Sequence, residues 1–178
     1  MRRHAVFACA MVLLLTMAVP VGATRGQSEK ELPFHAEFAG YLIGFNEDRD
    51  MIEARCADPD NTWAITSFDG WGEATHLGPT YVYAEHCSYE DGYGEGLLTM
   101  TADNGDVLKA TYRDGVSLSG PPLIGFADYF TFTDGGSGRF VSASGGGVEQ
   151  GVLNFTTGAF SVYMEGTIVY DASNRRHR

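Results

Sequence analysis

The feature that most constrains this chain is a two-residue rhythm. Phe34, Ala36, Phe38, Gly40 and Leu42 share one face of an extended run, and Leu98, Met100 and Ala102 share one face of another, opposite Leu97, Thr99 and Thr101. Leu108, Ala110 and Tyr112 oppose Val107, Lys109, Thr111 and Arg113, and Ile124, Phe126, Asp128, Phe130 and Phe132 alternate in a fourth run. The longest alternation is Phe160, Val162, Met164, Gly166, Ile168 and Tyr170. A half-buried strand requires this period, because its successive side chains point to opposite faces. The turns agree with it. Asn104-Gly105 between two runs predicts a type I′ hairpin, in which both central residues take positive φ. Asp134-Gly135-Gly136-Ser137-Gly138 and Thr157-Gly158 predict further tight connections. The stretches 46–61 and 114–123 read as irregular loops. Strands joined by short turns form a meander, and closing a meander into a barrel removes the edges along which β-proteins aggregate. The expectation is an all-β fold over residues 34–170, a closed antiparallel barrel of about eight strands in meander order.

The N-terminus is of a different kind. Met1-Arg2-Arg3-His4 is a basic start, residues 5–19 are apolar except for Thr16, and Pro20-Val21-Gly22-Ala23 follows. This is the pattern of a secretory signal peptide, residues 1–23, cleaved after Ala23. The apolar run is short for a bilayer span, which takes about 20 residues. Residues 24–33 then form a flexible mature N-terminus, and residues 171–178 a disordered basic tail. The expected location is secreted or periplasmic, by general or twin-arginine export, with no stable membrane insertion after cleavage. The formal charge is -11, and losing Arg2 and Arg3 but no acid takes it to -13. Such a surface repels nucleic acid, which is therefore not an expected partner. Two cysteines remain after cleavage, Cys56 and Cys87. An even count in an exported chain reads as one disulfide, closing a loop of about thirty residues worth roughly 3–4 kcal/mol. The alternative, metal ligation with His86 or His76, lacks the close cysteine pair of a zinc site, and neither metal nor cofactor is expected.

One glycine-rich turn carries a resemblance. Gly135-Gly136-Ser137-Gly138-Arg139-Phe140-Val141-Ser142-Ala143-Ser144-Gly145 resembles the GGxG-x-F-x-x-A-x-G signature of plant allene oxide cyclases and dirigent proteins. Residues 101–108 and Thr75-His76-Leu77-Gly78 are similar to segments of exported bacterial proteins placed near that family. The resemblance covers roughly residues 34–170 and implies an eight-stranded antiparallel barrel. None of the plant cyclase's catalytic positions is matched, so it does not imply that activity.

Few residues suggest chemistry. His76, in the turn ending at Gly78, is read either as an acid, base or ligand or as a histidine that caps the barrel. Asp128 shares a face with Phe126 and Phe130 and is read either as a paired or solvent-facing carboxylate or, if it points into an apolar lumen, as a carboxyl with a raised pKa that could act as a general acid. Glu165 shares the opposite face of its strand with Ser161 and Tyr163 and is either paired, exposed or functional. These three are the candidate ligand-binding residues. His86 reads as a solvent-facing strand residue. Asp103-Asn104-Gly105-Asp106 lacks the twelve-residue loop and terminal Glu of a calcium hand and is explained by its hairpin. Nucleophile-elbow, Walker and HExxH patterns are absent. Three readings follow: a non-catalytic module that binds a small apolar or aromatic molecule in its lumen, a cyclase or isomerase acting there, or an envelope interaction protein with a solid barrel. Oligomeric state is not legible.

Overall fold

The structure, a computed structural model, describes residues 30–171. The segment expected to be a signal peptide, its expected cleavage point and most of the expected basic tail lie outside the described residues. Eight strands form a closed antiparallel barrel in which each strand pairs with its neighbours in sequence and the first pairs with the last. They are β1 (Leu32–Asn46), β2 (Ala64–Ala74), β3 (Gly78–Ser88), β4 (Gly92–Ala102), β5 (Val107–Ser117), β6 (Leu123–Thr133), β7 (Ser144–Asn154) and β8 (Ala159–Val169). One short helix, α1 (Arg49–Arg55), joins β1 to β2, and a 3-10 turn, Gly138–Phe140, precedes β7. No helix among the described residues is long and apolar enough to cross a membrane.

The five alternating runs lie in β1, β4, β5, β6 and β8. Two boundaries differ from expectation. β1 begins at Leu32, inside the segment read as flexible, because its first residues pair with Ile168 and Thr167 of β8. The longest strand is β1, with 15 residues, rather than β8, with 11. The Asn104-Gly105 hairpin also closes differently. Only Gly105 takes positive φ, +82°, and its N–H donates to the Ala102 carbonyl at 2.8 Å. The turn therefore runs over Asp103 and Asn104, with Gly105 as the left-handed residue that follows it, instead of the type I′ form.

The barrel is filled at one end only. Phe34, Phe130, Met100, Leu108, Met164 and Ile168 are fully buried there. Phe34 packs edge-on to Phe132 at 4.9 Å between ring centroids, and Phe130 meets Phe132 at 5.2 Å. Tilted aromatic contacts of this kind add to the roughly 1.5–3 kcal/mol that burying each large apolar side chain contributes. Phe140, from the 3-10 turn, and Leu77 plug this end. Arg139 ties the plug together: its Nε donates to Asp106 Oδ2 at 3.0 Å, and its Nη2 donates to the His76 carbonyl at 2.8 Å.

Outside the wall, α1 makes a second small core. Asp48 caps it by accepting from the Asp50 and Met51 N–H groups. Ile52 packs with Ile65 against the Cys56–Cys87 disulfide, whose Cα atoms are 5.9 Å apart. The bond thus pins the long β1–β2 connection to β3.

Candidate ligand-binding site in the barrel lumen

The other half of the lumen is a cavity of about 780 Å³ that opens at the end formed by the β1–β2, β3–β4, β5–β6 and β7–β8 connections. Its inner walls are mainly apolar, from Phe38, Phe68, Val82, Phe126, Phe160 and Val162. Phe45, Trp63, Tyr89 and Phe155 form an aromatic rim, with Phe45 between Trp63 at 5.2 Å and Phe155 at 6.4 Å. Charged residues at the cavity surface are Asp60 and Glu90 near the mouth and Glu149 inside; no lysine or arginine lines it.

Backbone irregularity places the polar groups. β4 carries one extra residue relative to β3, and β5 one extra relative to β6. Glu95 and Asp114, at φ 47° and 59°, are the left-handed residues of these bulges. An extra residue reverses which parity faces inward. Even positions of β4 face the packed half, yet beyond Glu95 the odd-numbered Tyr93 enters the lumen. Tyr93 lies across Gly115, its directly paired neighbour, and Tyr112 lies across Gly96. A Cβ at either glycine would come within 2.3 Å of the ring that covers it, so these close approaches require glycine.

A cluster of side chains results. The Tyr93 hydroxyl donates to Asp128 Oδ2 at 2.6 Å. His86 stacks on Tyr93 at 4.4 Å, and its Nδ1 is 2.9 Å from the Tyr112 hydroxyl. Asp128 of β6 stands directly opposite Glu149 of β7. Both carboxyls are buried, at 3 % and 9 % exposure, and Asp128 Oδ1 has no hydrogen-bond partner. Two ionised carboxylates offer acceptors only, so this pair can satisfy itself only by retaining a proton or by receiving a donor from elsewhere.

The electrostatics follow from burial. Burial pushes Asp128 up to about 7, against the lowering effect of the Tyr93 hydrogen bond. Burial, and then the charge of Asp128, raise Glu149 well above the usual carboxylate range. Burial first, and the Arg55 charge second, lower His86 to about 3, so it stays neutral at ordinary pH. Both cluster tyrosines are raised, first by burial and then by the nearby carboxyls, and remain protonated donors.

The three candidates from sequence are scattered by the fold. Asp128 is buried, but it does not itself line the open cavity as its neighbours Tyr93 and Glu149 do. His76 is at the opposite, plugged end: its Nε2 is 2.9 Å from the Pro33 carbonyl and its ring packs on Tyr170. It caps that end and does not reach the cavity. Glu165 is exposed on the outer face, opposite Val148 and His35, and is likewise remote from the lumen. His86 corrects the reading of a solvent-facing residue, since it is buried inside the barrel. Glu149, Tyr93 and Tyr112 were not singled out. Glu149 sits in a glycine-rich run with little alternation, and only its register against Asp128 reveals it. Asp106 is committed to Arg139, and no group of three or more metal-ligating side chains is found among the described residues. Compared with protein-family models, curated proteins and solved structures, the chain gives no match.

Proposed function

We propose that this domain is an exported binding module that holds one small, mainly apolar or aromatic molecule in the open half of its barrel. One observation carries the reading: a lumen packed shut at one end opens at the other into a cavity of about 780 Å³ with aromatic walls and a few converging polar groups. That is the size and lining of a small-molecule site. Export is supported by the disulfide, which persists in oxidising compartments, and by the basic-apolar-small pattern of residues 1–23. The test is titration of the purified protein with a neutral naphthalene fluorophore, followed by displacement with unlabelled aromatic compounds. Displaceable binding that is lost in Ala84→Trp, which fills the cavity wall, supports the proposal. Absence of displaceable binding to the folded protein overturns it.

A second reading is favoured by the Asp128–Glu149 pair. A carboxyl that keeps its proton near neutral pH can act as a general acid, which would make the lumen a site for isomerisation or cyclisation. Turnover abolished by Glu149→Gln with ligand binding retained would select this reading over simple binding.

A further inference from the structure

The cavity is asymmetric in charge as well as shape, and its deepest polar feature lacks partners. Glu149 lines the cavity, is buried to 9 % exposure, and receives no hydrogen bond from a side chain or backbone group among the described residues. The opposing Asp128 has one oxygen satisfied by Tyr93 and the other unpartnered. A buried acceptor without a donor is costly, and a ligand that supplies the donor recovers that cost. The donor's charge can be specified too. Asp60 and Glu90 lie near the entrance, Glu149 lies within, and no basic side chain lines the path. An anion would be repelled by Asp60 and Glu90 at the entrance, whereas a cation would be drawn inward and, by displacing to solvent the proton that the carboxyl pair retains, find a counter-charge at the base. Tyr93, Phe126, Phe68 and Phe160 line the same cavity, and aromatic rings attract a cation. A metal ion fits poorly, since two carboxyls fall short of the six or more oxygens that a hard divalent cation takes.

We infer that the lumen selects organic cations: a small aromatic or apolar amine whose ammonium donates to Glu149, beside Asp128 and the Tyr93 hydroxyl, and whose hydrophobic body fills the aromatic-walled cavity. This rests on the binding-module reading and narrows it to a ligand class. The carboxyl pair discriminates and the aromatic walls supply general affinity, so the two contributions separate experimentally.

The test compares three ligands with one ring system and different heads: 1-naphthylmethylamine, 1-naphthylmethanol and 1-naphthoate, titrated into the purified protein at pH 7 by calorimetry. The amine is expected to bind about tenfold or more tighter than the alcohol, as a charge-assisted hydrogen bond in a dry site allows, with the carboxylate weakest. Glu149→Gln is expected to erase the gap between amine and alcohol while alcohol affinity stays within about threefold of the parent, with a cooperative thermal transition confirming the fold. Alcohol binding that equals or exceeds amine binding overturns the amine inference and leaves the pocket reading standing. So does an amine preference that persists in the Asp128→Asn/Glu149→Gln double variant. Failure of all three ligands to bind overturns both readings.

Discussion

The two ends of this barrel are built on opposite principles. At the plugged end, Phe34, Phe130, Phe132, Met100 and Ile168 fill the lumen, and Phe140 and Leu77 seal it from outside. At the open end, the wall still carries aromatic rings, but the axis is empty, and the facing carboxyls and the buried histidine gather there. The closed half supplies most of the apolar burial. It thereby lets the open half keep features that oppose stability, namely two facing carboxyls, a buried unpartnered oxygen and a neutral buried histidine. Function is commonly held in regions of this kind on a scaffold stabilised elsewhere.

The largest contrast between the ends should appear on truncation of the plug. Phe130→Ala is expected to cost about 3–5 kcal/mol in denaturant unfolding, because a well-packed aromatic leaves a cavity that its neighbours only partly fill. A cost below about 1 kcal/mol would mean that the closed half is not the scaffold. Next comes the external staple. Cys56→Ser with Cys87→Ser should cost roughly 3 kcal/mol, since the bond closes a span of 31 residues in the unfolded chain. Parent protein treated with reductant should reproduce that loss in the same assay.

The third effect belongs to the open end and depends on pH. In the unfolded chain both carboxyls lose their protons near pH 4, whereas in the fold Asp128 keeps its proton until about pH 7 and Glu149 is raised as well. Between those values the native state holds the extra protons, so their contribution to stability falls as pH rises from about 4 to 7. His86 acts in reverse. It protonates near 6.5 when unfolded and only near 3 when folded, so its contribution falls as pH drops through that interval. The Tyr93 and Tyr112 hydroxyls facing the pair do not titrate in this window. The Asp128→Asn/Glu149→Gln variant should therefore gain on the order of 2 kcal/mol at pH 8 and lose stability more steeply than the parent on acidification below pH 6. Melting curves collected across pH 4–8 would reveal either pattern, and parallel curves for variant and parent would refute it. The smallest effect lies at the rim. Phe155→Ala, at a side chain 48 % exposed, should change stability by less than about 1 kcal/mol, and ligand affinity is its informative readout.

The difference between the ends also governs what the sequence made legible. The period-two runs that announced strands are clearest in the packed half, where a filled lumen favours apolar residues at most inward positions. The motifs that carried the family resemblance, Thr75–Gly78, residues 101–108 and Gly135–Gly145, all form the plugged end or lead into it. They specify turns and a seal, which is why they pointed to architecture and not to chemistry. The open half gave weaker signals for physical reasons. An empty lumen does not need large apolar side chains at every inward position, so Glu149 serves where a packed core would want leucine, while Gly151 is glycine because the Phe126 ring lies over it. Asp128 was recognised because its own strand alternates cleanly through Phe126 and Phe130. Its partner was not, because cross-strand register is set by the whole barrel. Tyr93 was hidden by the bulge at Glu95, and residues 114–117 looked irregular because Asp114 interrupts their pattern in the same way.

Those paired bulges give the barrel something like a reading frame in space. Up to Glu95 on one strand and Asp114 on the other, the inward set is fixed by the plug. Past them, the inward and outward sets exchange places. Removing the two extra residues together would turn Tyr93 outward and bring its sequence neighbours into the lumen, yet leave Met100, Leu108 and Tyr112 where they are. Two codons thus separate this lining from a different one on the same frame, and the chemistry of the mouth can drift while the closed end remains unchanged.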